Sequence, residues 1–154
     1  MANEDPNIPG EVMTPSVGWK LHSAAPVSIV DFGSPSATTD LGLCVYDATG
    51  RVLSAGAPAG GTCAGKPCWQ ATTTRDRYTD QDLTPDGLQT LSLTPGTTGK
   101  ISAKGKGANL ALGALPLMPP LRVQLLRLDS TACWDAVFSS PSTNDATQVR
   151  ARSD

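Results

Sequence analysis

"LGLCVYDATGRVLSA", residues 41–55, decides the fold. Leu41, Leu43 and Val45 alternate with other residue types, the period of a strand with one buried face. Asp47-Ala48-Thr49-Gly50 follows, and then a second β-rich arm through Val52 and Leu53. Asp binds its own backbone in tight turns, and Gly takes positive φ without strain. Two such arms around such a turn predict a β-hairpin.

The same pattern recurs outward in both directions. "SVGWKLH" (16–22) puts Val17, Trp19 and Leu21 on one face, and "VSIVDF" (27–32) is also strand-like. "CWQATTTR" (68–75), "LQTLSL" (88–93), "KISAKGKGANL" (100–110), "LRVQLLRL" (121–128) and "ACWDAVF" (132–138) complete the set, the last as the final strand. Turn signals separate them. About eight strands so spaced predict an all-β fold, an antiparallel β-sandwich of Ig-like or jelly-roll-like form. No segment has a sustained helical period with caps. "ALGALPLMPP" (111–120) is apolar but holds three prolines, so it reads as an extended crossover. Lys104 and Lys106, alternating with Gly105 and Gly107, read as a twisted edge strand protected by charge. Residues 1–15 read as an N-terminal linker or arm, 16–139 as the sandwich and 140–154 as a polar C-terminal tail.

The chain has 154 residues, enough for one domain with a real core. Twelve Lys and Arg stand against 14 Asp and Glu. That balance names no charged partner, and a basic stripe with interleaved aromatics, as nucleic acid requires, is not evident. No apolar run approaches the roughly 20 residues of a membrane-spanning helix.

Four cysteines, Cys44, Cys63, Cys68 and Cys133, allow three pairings. An even count in a β-rich chain with one histidine points to disulfides and an oxidising compartment. Cys63 and Cys68 bracket a turn-like Ala-Gly-Lys-Pro and are expected to bridge locally. Cys44 then pairs with Cys133, tying an early strand to the last. The competing readings are free thiols and a zinc site, although the spacing is loose and no second close Cys/His pair exists.

"TRDRYTDQDLTPDG" (74–87) is the acidic stretch. Asp80, Asp82 and Asp86 sit at i, i+2 and i+6, which makes them candidate calcium ligands and calcium the one candidate cofactor. The spacing resembles the acidic loops of thrombospondin-type calcium repeats. An EF-hand is excluded, because the sixth and twelfth positions counted from Asp80 are Pro85 and Leu91. The competing reading is a polar turn whose carboxylates cap their own backbone.

Trp19, Trp69 and Trp134 are candidate sugar-stacking residues in a chain with 5% aromatics. Two of them follow a cysteine directly, which favours core packing. Catalysis has little to stand on. His22 is the single histidine, no G-x-S-x-G elbow occurs, and "GTTGKIS" fails the phosphate-loop spacing.

The stretches "DFGSPSATTDLGLCVYDATG", "APAGGTCAGKPCW", "RYTDQDLTPDGLQTLSLTPGTTGKISAKGKGANL" and "LRVQLLRLDSTACWDAVFS" carry a resemblance. Together they look like an uncharacterised C-terminal β domain of secreted and surface proteins from environmental Gram-negative bacteria. The resemblance implies an extracellular or cell-surface module, appended to larger proteins for attachment, export or assembly. The partners expected of such a module are other copies of itself or a parent or surface protein; a glycan is the partner of the tryptophan-based alternative, and composition points to neither nucleic acid nor a membrane span. The function expected is non-catalytic. The alternatives are a carbohydrate-binding sandwich and, more remotely, a small secreted hydrolase using His22.

Overall fold

The computed structural model describes residues 16–22, 25–107, 109–112 and 115–152. The arm expected at 1–15 lies outside them. The strands are β1 (Ser16–His22), β2 (Leu41–Asp47), β3 (Gly50–Ala57), β4 (Thr62–Cys63), β5 (Lys66–Pro67), β6 (Trp69–Ala71) and β7 (Asp76–Thr79). They continue as β8 (Leu88–Thr94), β9 (Lys100–Lys106), β10 (Leu121–Arg127), β11 (Cys133–Phe138), β12 (Thr143–Asn144) and β13 (Gln148–Arg152). One sheet has the order β12-β13-β1-β9-β8-β7-β6, a second has β11-β10-β2-β3, and β4 and β5 form a small hairpin. The protein is an all-β sandwich of these sheets.

Alternation builds the core. Val17, Trp19 and Leu21 of β1, Leu91 and Leu93 of β8, and Ile101 and Ala103 of β9 face inward from the larger sheet. Leu41, Leu43 and Val45 of β2 and Leu121, Val123 and Leu125 of β10 meet them from the smaller one. Each fully buried Leu or Val contributes roughly 1.5 to 3 kcal/mol over its exposed state. The two sheets meet where the Trp19 ring lies edge-on to Phe138, with centroids 5.6 Å apart. The opening hairpin is as expected, with β2 and β3 turning through Ala48 and Thr49. Asp47 accepts the Thr49 N–H at 2.8 Å and the Met118 N–H at 3.0 Å, so the turn also anchors the crossover.

Five expectations are corrected. "VSIVDF" is not a strand. Residues Ile29–Phe32 form a 3-10 turn, closed where the Asp31 carboxylate accepts the Ser28 N–H at 2.7 Å, and Phe32 drops into the core. Second, residues 140–154 are not merely a tail, and β11 is not the last strand. Gln148–Arg152 pairs with β1 in parallel register, Val17 opposite Val149 and Trp19 opposite Ala151, so the larger sheet is mixed. Third, β9 is no edge strand, because it lies between β1 and β8. Fourth, the described residues form thirteen strands; the surplus over about eight is mainly short segments. Fifth, Cys44 and Cys133 are free. Cys44 lies on β2 opposite Gln124, and Cys133 lies on β11 opposite Leu126, with β10 between them. Two strand spacings are roughly 10 Å, beyond the ~7 Å Cα limit of a disulfide. Cys63 and Cys68 are bonded, with Cα atoms 4.9 Å apart, and staple the β4–β5 hairpin.

Asp76 is the one carboxylate in the strands of the larger sheet. It is 4% exposed on the core side of β7, between Ala71 and Leu93 in register. Burial raises its pKa above the ordinary 3.8. An acid whose folded pKa is raised favours folding in its protonated form. That advantage is complete below the unfolded pKa and is lost as pH rises through the folded one. Asp76→Asn is therefore expected to stabilise the protein at pH 7, by about 1 kcal/mol, because burial disfavours the charged carboxylate. At about pH 3, where both states are protonated, the gain should vanish. Urea unfolding at the two pH values measures it, and an equal effect at both would refute the assignment.

Candidate functional site

The acidic loop is built as a set of caps. Asp80 is 1% exposed. Its Oδ2 accepts the Tyr78 hydroxyl at 3.1 Å, the Thr84 N–H at 3.0 Å and the Thr84 hydroxyl at 3.1 Å, while Oδ1 accepts the Asp82 N–H at 2.8 Å. Burial first, and then the neighbouring Asp80 carboxylate, push the Tyr78 hydroxyl far above its ordinary pKa, so it stays a donor. Asp82 accepts the Ala64 N–H at 3.0 Å, beside the stapled hairpin. Asp86 accepts the Gly56 N–H of β3 at 2.8 Å. Gly87 closes the loop at φ 85°, where an added Cβ would lie 2.8 Å from the Leu110 backbone nitrogen.

The three candidate calcium ligands thus cap four backbone N–H groups, those of Asp82, Thr84, Ala64 and Gly56. Among the described residues, no group of three or more His, Cys, Asp or Glu is placed to hold a metal ion. Melting with millimolar calcium and with chelator is expected to give the same midpoint. Asp80→Ala is expected to cost about 2 kcal/mol, because it takes the acceptor from the Asp82 N–H and from the Thr84 N–H and hydroxyl, and leaves the Tyr78 hydroxyl only the Thr84 carbonyl. A calcium-dependent rise in the midpoint would contradict this reading.

Two of the three tryptophans are core residues. Trp19 and Trp69 are 1% and 4% exposed, so neither can offer a ring face to a sugar. Trp69 donates its indole N–H to the Pro58 carbonyl at 2.9 Å and packs on Tyr78 at 5.2 Å. Trp134 is half-buried, with its ring 5.0 Å from Phe32. His22 is exposed at the end of β1, in register with Lys100.

What gathers on one surface is positive charge. On β13, β1 and β9 the inward positions are apolar or small, so the alternate positions face solvent. Those outward positions carry Lys20, Lys100, Lys104, Lys106, Arg150 and Arg152, six of the chain's twelve Lys and Arg. The register assembles them. Arg152 lies opposite Lys20, and Lys20 opposite Ser102. One row along, Arg150 and Lys104 flank Gly18 from either side. Among the described residues, the nearest acid along the chain is Asp145, which sits in the β12–β13 turn and is taken by the Thr147 and Gln148 N–H groups. Among the described residues the two ion pairs, Arg122–Asp135 and Arg127–Asp129, lie elsewhere.

Two connected hollows run over this face, of about 490 and 420 Å³, sharing Lys20, Ser102 and Arg152. A larger hollow of about 610 Å³ lies beside the β2–β3 turn. It mixes Asp47 and Arg51 with Leu112, Pro116 and Met118, and its one carboxylate already caps backbone. The basic face is the better candidate, because its charges converge and, among the described residues, have no acid between them.

No protein-family model, no curated protein and no solved structure matches the chain. The face must therefore be read through its own chemistry. Lys20 and Arg152 are direct cross-strand neighbours, about 4.8 Å apart, Arg150 and Lys104 lie two strands apart across Gly18, and Lys104–Lys106 and Arg150–Arg152 are about 7 Å apart along their strands, an open positive lattice. Such a lattice attracts anions bearing several charges and holds them by many weak contacts, which salt weakens. The sequence held the signal in the alternation of "KISAKGK" and "QVRAR". It was hidden because one segment reads as an edge and the other as a tail.

Proposed function

We propose that the protein is a non-catalytic attachment module of the extracellular space or cell surface, and that it docks on a polyanion through the outer face of β13, β1 and β9. The observation that carries this reading is the clustering of six cations on three adjacent strands of a chain whose net charge is −2. The Cys63–Cys68 disulfide supports an oxidising compartment. Among the described residues no helix is long and apolar enough to cross a membrane. The resemblance to an appended C-terminal domain supports attachment over a reaction of its own. Self-assembly has a narrower support, the open edge strand β11 with Val137 exposed.

The test is chromatography on a polyanionic matrix at low and high salt. The unmutated protein is expected to be retained and to elute as ionic strength rises. Lys20→Glu with Arg152→Glu should abolish retention while leaving the melting midpoint in place. Passage of the unmutated protein without retention would refute the proposal.

A further inference from the structure

Resting on that attachment reading, we infer that the polyanion is a linear acidic polysaccharide, one bearing carboxylate or sulfate groups along its chain. The basic face has more than charge. Its floor is made of small residues, Gly18 on β1, Ser102 on β9 and Ser92 on β8, with Ser102 and Ser92 in register. Gly18 lines the larger of the two hollows, and the Arg150 side chain leans over it. The two hollows join through Lys20, Ser102 and Arg152 into one trough across the strands, a shape for a chain laid lengthwise.

The chemistry of the floor discriminates among polyanions. Serine hydroxyls donate and accept, which suits sugar hydroxyls as well as acid groups. The outward positions of β13, β1, β9 and β8 carry Lys, Arg, Ser, Thr, Gln, His and Gly. They carry no aromatic ring, so unpaired bases have nothing on which to stack. Nor do they carry a large apolar side chain that could enter a lipid surface. What remains is an anionic chain recognised by ion pairs at its acid groups and by hydrogen bonds to its hydroxyls.

Filling the floor without changing the charge separates this inference from simple ion exchange. At Gly18 an added Cβ would meet Arg150 Nη1 at 3.3 Å, the far end of a flexible side chain, so the backbone can stay in place. By turning the Arg150 side chain aside, Gly18→Val keeps all six charges and raises the floor. Ser102→Leu does the same at a second point and guards against a purely local effect. The probes are polygalacturonate, dextran sulfate, polyphosphate, oligothymidylate and anionic phospholipid vesicles, titrated calorimetrically at about 100 mM salt.

The unmutated protein is expected to bind one or both acidic glycans at least about tenfold more tightly than the other probes at matched charge. Each filled variant should lose about tenfold in glycan affinity and keep its polyphosphate affinity. The Lys20→Glu, Arg152→Glu variant should lose both. Equal affinity for every polyanion, unmoved by Gly18→Val and Ser102→Leu, would overturn the glycan inference and leave the attachment reading standing. A preference for oligothymidylate or vesicles would also overturn it. No binding to any probe would overturn both.

Discussion

Removal of the chain from Gln148 onward should leave a protein that does not fold. β13 fills the place between β12 and β1, with five residue pairs against β1. Val149 is fully buried and Ala151 nearly so. Losing Val149 from the core costs roughly 1.5 to 3 kcal/mol. The lost ladder adds roughly 0.5 to 1.5 kcal/mol for each hydrogen bond. β12, left without its partner, can no longer hold Asn144 in place. That side chain accepts the Leu117 N–H at 2.8 Å and donates to the Leu117 carbonyl at 2.7 Å, which pins the crossover. The sum is comparable to the whole stability of a small domain, about 5 to 15 kcal/mol. Far-ultraviolet circular dichroism and thermal melting of the truncated chain measure it. A cooperative melt at the full-length midpoint would show that residues 148–152 are dispensable and that the sheet ends at β1.

The second large effect lies where the sheets meet. Phe138→Ala is expected to destabilise by about 3 to 5 kcal/mol, since it leaves a cavity against the Trp19 ring. Trp19→Phe should cost far less than its loss of volume implies. The Trp19 indole N–H is buried and has no hydrogen-bond partner among the described residues. Removing it relieves a desolvation cost of about 1 to 3 kcal/mol, which offsets much of the lost packing. The expected net change is within about 1 kcal/mol of zero. Urea unfolding of both variants decides the point. A Trp19→Phe cost as large as that of Phe138→Ala would show that the indole N–H is satisfied and that the ring's full size is needed.

The β class was legible because "SVGWKLH", "LGLCVYD", "LQTLSL" and "LRVQLLRL" each bury one face, and the period of two shows it. The topology was less so. "QVRAR" alternates too, but it is short, charged and preceded by Ser, Thr, Asn and Asp, so locally it reads as a tail. Only the parallel partner strand β1, far away in sequence, turns Val149 and Ala151 into core residues. "VSIVDF" failed for the opposite reason, because a local contact between Ser28 and Asp31 overrides β-prone residues. Cys44 and Cys133 do sit on an early and a late strand, but strand order, which spacing does not reveal, puts β10 between them.

The candidate site was hidden in the same way. Acidic residues close in sequence drew attention to 80–86, yet their carboxylates serve as backbone caps. The cations of the basic face come from residues 20, 100–106 and 150–152, and overall composition cannot reveal them. A net charge of −2 averages those six cations against the chain's 14 Asp and Glu.

The binding surface itself is open to direct measurement. Amide chemical shifts of the uniformly ¹⁵N-labelled protein, followed as polygalacturonate or dextran sulfate is added, map the contact residue by residue. The account predicts the largest shifts at Gly18, Lys20, Ser102, Lys104 and Arg150, with β10, β11 and the acidic loop at 80–87 left unmoved. Shifts centred on the acidic loop or on β10 and β11, or none anywhere, would contradict it.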